Sequence, residues 1–342
     1  MKPLLSPFRL ASLRLLAWLA LPAAGVSAAS DFYLCAALNK GYVTGSKIET
    51  ISGLFRRAEN GTWQHFGYND ISIAGAAFDP RDPNVIYTAA LNGCWRSLDG
   101  GKTWRQTNGW DITEGHEVAV DPHAPDHVYL ALPDGVAVST DRAQTWTRGE
   151  NGLPDRGKYT QTLKVDRTRA GRLLAGCELG IYLTEDGAKS WRRVQPTSAT
   201  VNDLEQSPAD PQAWLAVTDK DGAWASHDGG ATWRKLGGVP AEHALYNVAF
   251  DPTQPRRAAI GSWTQGVLTT EDGGQTWTPR NAGLSASHCV WRVGVDPDSG
   301  RLYASVVNES LYTSDDFGRT WHRGPLEGST INSFITVPRA GK

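Results

Sequence analysis

Glu117 and Asp203 occupy the same register in two stretches of the chain, each four residues ahead of an X-Pro step, Asp121-Pro122 and Ser207-Pro208. Two such carboxyls could share acid and base work. A separation of about 5 to 5.5 Å suits retaining glycoside hydrolysis, and about 6.5 to 9.5 Å suits the inverting reaction. His116 and Glu178 are further candidates for moving a proton. Arg292 could grip a carboxylate bidentately or pair with a neighbouring acid inside the fold. Gln161, Asn202, Asn247 and Asn332 supply amides, and Tyr246, Trp291 and Trp263 supply aromatic faces. That mixture suits sugars, whose rings carry apolar C–H patches beside hydroxyls, in a concave site with few polar groups.

These candidates fall into two rows. Counting back from Asp79, Asp121, Asp166, Ser207, Asp251, Asp296 and Val337, the fifth residue upstream is Ala74, His116, Gln161, Asn202, Tyr246, Trp291 or Asn332. The fourth is Gly75, Glu117, Thr162, Asp203, Asn247, Arg292 or Ser333. The next position is apolar every time: Ala76, Val118, Leu163, Leu204, Val248, Val293 and Phe334. So abrupt a change predicts strands that leave a core and meet a wet cavity, although strand ends near solvent are often polar for no other reason.

The elements that must carry these rows form a repeat. SLDGGKTW, STDRAQTW, TEDGAKSW, SHDGGATW, TEDGGQTW and SDDFGRTW recur, with a shortened AENGTW ahead of them. Their final tryptophans, Trp63, Trp104, Trp146, Trp191, Trp233, Trp277 and Trp321, are 41, 42, 45, 42, 44 and 44 residues apart, the length of one four-stranded propeller blade. Each unit holds four β-like runs, as in HEVAVDP, HVYLAL, GVAVSTD and TWTRG, separated by DP, DG and NG turns, with no long helical period. The chain is therefore all-β, a single seven-bladed β-propeller over residues 31–338, followed by a short tail at 339–342. FYLCAAL, SGLFRRA and TWQHF supply three strands at the start and INSFITV one at the end, so the last strand is expected to complete the first three and shut the ring.

The octapeptides closely resemble the Asp-box, the repeat shared by bacterial sialidases, sortilin-type receptors, xyloglucan-active glycosidases and photosystem II assembly factors. Within them Asp99, Asp141, Asp186, Asp228, Asp272 and Asp316 are structural: each carboxylate can accept N–H groups of its own turn. The tryptophans are expected between neighbouring sheets, and Ala143 and Ala188 stand where the other boxes have glycine. Sialidases carry an arginine-isoleucine-proline motif and three arginines that clamp the substrate; ISGLFRRAENGTW lacks the motif, and Arg292 is the sole arginine of the two rows. Xyloglucan-active glycosidases place their carboxylates between two seven-bladed domains, whereas one is legible here. The assembly factors match in size and blade number but use an arginine-rich face, and the arginines here are scattered. The resemblance thus implies a propeller that binds a glycan or an exported or membrane protein at the inner-strand mouth without catalysis. A glycoside hydrolase or polysaccharide lyase using the same carboxylates is the alternative, since a shared fold does not transfer function.

Lys2, Arg9 and Arg14 followed by the apolar run Leu15 to Val26 have the layout of a secretory signal peptide over residues 1–28, predicting export to a periplasmic or extracellular site. With 34 basic and 36 acidic residues the chain is mildly acidic, which argues against nucleic acid as a partner. Cys35, Cys94, Cys177 and Cys289 allow three pairings or none, and their spacing suits no metal, so no metal or cofactor is expected. The mature chain is expected to be a monomer without a membrane span.

Overall fold

A computed structural model describes residues 30–38 and 51–339. The predicted leader and the end of the predicted tail lie outside the described residues. Seven antiparallel four-stranded sheets follow one another around a central channel, as the repeat requires. The inner strands of the first six blades are Gly75–Asp79, Glu117–Val120, Thr160–Val165, Val201–Gln206, Leu245–Phe250 and Val290–Val295. The seventh blade is built from both ends of the described chain. Its inner strand, Ser329–Pro338, pairs with Ser30–Leu38, which is followed by Gly53–Arg57 and Trp63–Phe66. Asp31 reinforces this seam by accepting from Arg56 at 2.8 Å and from Arg339 at 3.0 Å. No helix among the described residues is long and apolar enough to cross a membrane.

The middle strands of each blade are buried on both faces, as in Val128–Leu132 and Gly135–Ser139. Apolar side chains from adjacent sheets interdigitate there, which sets the blade spacing. The apolar row beneath the mouth is buried in six blades, but Phe334 is only half-buried. Gly294 makes the room for it, because a Cβ there would come within 2.5 Å of the Phe334 ring.

The boxes form a ring of turns on the face opposite the mouth. Asp99 is representative: it accepts from the Lys102 and Thr103 amides at 3.1 and 2.9 Å and from the Thr103 hydroxyl at 2.6 Å. The Thr103 hydroxyl bond, followed by the amide bonds, lowers its pKa to about 2. Ala143 and Ala188 adopt the same left-handed backbone as the glycines they replace, at φ 58° and 64°, and their methyl groups are buried. Trp191, Trp277 and Trp321 are buried, whereas the other box tryptophans are half-buried. In six blades the outer strand starts one residue after the tryptophan rather than at it. The reason is visible in Trp191 and Trp321, whose backbone N–H groups donate to Asn151 and Ala282 of the preceding blade and so leave their own ladder.

All four cysteines are unbridged thiols; Cys35, Cys94 and Cys177 are buried. Burial pushes Cys35 and Cys94 up to about 12, which keeps both protonated and unreactive at neutral pH.

Candidate functional site

The mouth is shaped by a bulge repeated around the ring. In the third to seventh blades the pairing slips at the start of the inner strand, leaving Gln161, Asn202, Tyr246, Trp291 and Asn332 as extra residues. In the first two blades the Ala74 and His116 amides donate to Ala89 and Ala131, the residues that also pair with Gly75 and Glu117. Bulges re-aim side chains at sheet rims. This one turns the fifth-upstream row toward the mouth and the fourth-upstream row into the channel, whose cavity is about 540 Å³.

The polar members of the fifth-upstream row reach sideways. His116 Nδ1 donates to the Thr160 carbonyl at 2.8 Å, Asn202 to Leu245 at 2.8 Å and Asn332 to Ile73 at 2.9 Å, each on the following blade. Burial lowers the His116 pKa, so its ring is neutral at pH 7. Gln161 lines the same cavity. Tyr246 and Trp291 make an aromatic wall, with ring centroids 4.4 Å apart, and Trp263 meets Tyr246 edge-on at 5.6 Å. Trp263 is partly exposed, and Trp110, in the loop ahead of the second blade, is 93% exposed. Glu178 lies exposed on a hairpin of the third blade, apart from the other carboxylates of the channel.

The fourth-upstream row crosses the seams. Glu117 accepts from the Leu163 amide and the Thr162 hydroxyl, both at 2.8 Å, and Asp203 accepts from the Val248 amide at 3.1 Å. Asn247 exchanges two bonds with the Val293 backbone. Arg292 donates to the carbonyls of Asn332, Trp291 and Tyr246 and has no carboxylate within 4 Å among the described residues. Burial lowers its pKa, and Asp203 and Glu117 oppose that shift.

The sequence reading missed the centre of this arrangement. Lys164 rises from one turn of the pleat further down the channel and donates to Glu117 at 2.5 Å, with Glu205 at 3.1 Å and Asp203 at 3.8 Å. Glu117 and Asp203 therefore converge on one ammonium and share the Thr162 hydroxyl, rather than facing each other across open space. Burial pulls the Lys164 pKa down, but Glu117, Glu205 and Asp203 overcome it and hold it well above the usual lysine value. Burial also raises Asp203, and pushes Glu205 up to about 7 against the pull of Lys164.

Glu205 thus binds its proton more tightly in the folded chain than in the unfolded one, where the value is about 4.3. Its contribution to stability falls as pH rises from about 4 to 7. Glu205→Gln is expected to stabilise the fold by about 1 kcal/mol at pH 8, discounted because the side chain is about a third exposed to channel water, and to leave it unchanged near pH 4. Urea melts at the two pH values check this; equal shifts at both would remove the titration from the account.

The pattern of the Sortilin-Vps10 family, described as sortilin, neurotensin receptor 3, matches residues 92–223 and 221–334. A probable oligoxyloglucan-reducing end-specific xyloglucanase of Neosartorya fischeri is 27% identical over 192 residues, 48% of this chain and 23% of that enzyme. The chain thus spans about a quarter of the length of this relative. Among solved structures, the GH74 xyloglucanase of Xanthomonas campestris aligns with 81% of this chain and 50% of its own at 19% identity, TM-score 0.64. YCF48 bound to D1 peptide aligns with 74% of this chain and 82% of its own, at 19% identity and TM-score 0.55. Both structures share the fold. With seven Asp-box blades and a match running from the first blade into the closing strand, the chain belongs to the Sortilin-Vps10 family.

Proposed function

We propose that the chain is an exported propeller that binds a glycan or protein ligand at the channel mouth without turning it over, a glycan being the favoured occupant. The wall of Tyr246, Trp291 and Trp263 on the bulged rim carries this reading, since stacked aromatic faces beside amides match the apolar and polar faces of a sugar ring. The acids support binding over turnover: Glu117 and Asp203 are committed to Lys164 and to amides of the next blade. The xyloglucan-directed name of the fungal relative supports a polysaccharide, and the peptide on YCF48 supports a polypeptide as the other occupant.

A glycan array with the purified chain, run beside a peptide array, tests the reading. Trp291→Ala is expected to weaken the strongest glycan signal about tenfold, from a lost stacking contact near 1.4 kcal/mol, with the melting curve recorded as a check on folding. Signal on peptides alone would exclude the glycan.

Glu205 favours one second reading. A carboxyl near pKa 7 facing a channel is suited to general acid catalysis, so a glycoside hydrolase or lyase remains the alternative. Product released from an array ligand and abolished by Glu205→Gln, or by Glu117→Gln with Asp203→Asn, would replace the binding reading.

A further inference from the structure

A second cavity, about 480 Å³, opens on the box face between the fourth and fifth blades, away from the mouth and independent of its function. At three other seams the box indole ties the blades together. Trp146 Nε1 donates to the Thr107 hydroxyl at 3.1 Å, Trp191 to the Gly149 carbonyl at 2.8 Å and Trp321 to the Arg280 carbonyl at 2.9 Å. Each acceptor lies three residues past the preceding box tryptophan. For Trp277 the equivalent residue is Leu236, a wall of the cleft, and the bond is not made. The Trp277 Nε1–H finds no acceptor among the described residues, nor does that of Trp214, a cleft-lining residue only 1% exposed.

The packing of the boxes shows why a space is left. A Cβ on Gly101 or Gly230 would strike Phe66 at 2.7 Å or Leu174 at 2.5 Å, whereas one on Gly274 would meet only Trp277 Nε1 at 4.0 Å, and one on Gly273 nothing. Leu215, Leu236 and Phe250 make the walls apolar. At the rim, Arg234 has no ion pair among the described residues, and Arg256 donates only to the Asp272 carbonyl. One carboxylate, Asp210, also lines the cleft, accepting from the Gln212 amide at 3.0 Å and pairing with neither arginine. A buried indole donor lacking an acceptor, apolar walls and two guanidiniums without an ion pair among the described residues define complementary chemistry.

We propose that this cleft binds the carboxylate end of an apolar molecule, its body against Leu215, Leu236 and Phe250 and its charge toward Arg234 and Arg256. A free small acid and the C-terminal residue of a peptide share that chemistry. The volume lies within the range of small-molecule sites.

The probe is 8-anilinonaphthalene-1-sulfonate, an apolar anion, with uncharged N-phenyl-1-naphthylamine as its control. Saturable binding of the anion to one site is expected. Gly237→Trp should plug the cleft and weaken it by about tenfold or more; Gly237 lines the cleft without a left-handed backbone, and a Cβ there meets nothing within 4 Å. Arg234→Ser with Arg256→Ser should weaken the anion about tenfold and leave the neutral probe within about twofold. Decanoate and N-acetyl-Leu-Phe, but not the peptide amide, should displace the bound anion, and the acid effective at the lower concentration names the source. Non-saturable binding, no effect of Gly237→Trp in a variant that melts normally, equal loss of both probes in the double variant, or displacement by neither acid would each overturn the proposal.

Discussion

Lys164→Met is expected to destabilise the propeller by about 2–4 kcal/mol at pH 8, and by much less near pH 5. The ammonium is the shared partner of Glu117, Glu205 and Asp203, which approach it from the two inner strands that flank its own, Glu117 from the second blade and Asp203 and Glu205 from the fourth. Removing one member of a buried charge group leaves the others uncompensated, which costs about 3–5 kcal/mol where burial is complete. Channel water reaches 24% of the Lys164 side chain, which lowers the expected loss to about 2–4 kcal/mol. The wild-type lysine has a raised pKa and so contributes its full stabilisation below the unfolded value near 10.4. The pH dependence of the loss therefore comes from the acids. As pH falls through about 7, Glu205 takes up its proton and less charge is left uncompensated. Denaturant midpoints at pH 5 and 8 measure the effect; a loss independent of pH would remove Glu205 titration from the account.

Trp191→Ala should cost about 3–5 kcal/mol, the range for emptying a large aromatic site. The indole is 5% exposed among Leu153, Tyr182 and Val138, and its Nε1 bond to Gly149 joins the second blade to the third. Trp104→Ala, at the same box position, is expected to cost only about 1–2 kcal/mol: that ring is half-buried, and its Nε1 donates to Gly101 of its own turn. Within one sequence motif these two indoles have different energetic grades, set by depth of burial and by whether the N–H bonds across the seam or within its own turn. Denaturation of the two single variants under identical conditions decides the matter, and equal losses would reject the distinction.

The parts of this molecule that repeat are legible in its sequence. Tryptophan spacing sets the blade count, and three strand-like runs at one end with one at the other dictate the closing blade. The two rows above the X-Pro step identify the residues around the mouth because every inner strand bulges at the same place. What repetition hides is the exception. Strand alternation puts Ala77, Ala119, Lys164, Glu205, Ala249, Gly294 and Ile335 in the channel, two positions below the row that was read. Five are small or apolar and two adjacent ones carry opposite charges, a signal present in the sequence but outside the chosen rows. The unmade Trp277 bond leaves no such trace, since TEDGGQTW is a regular box and the cleft arises from what the preceding blade fails to fill.

Asp31 and Arg339 meet although 308 positions apart in the sequence. During synthesis, Ser30–Leu38 must wait for Ser329–Pro338 until every other blade has left the ribosome, with a bare edge exposed throughout. Contacts of such long range slow folding, so a chaperone or a transport machine that holds the nascent chain open has time to act before the circle locks. Clipping the final strand would leave a finished arc of six blades with an adhesive end, prone to join another copy edge to edge.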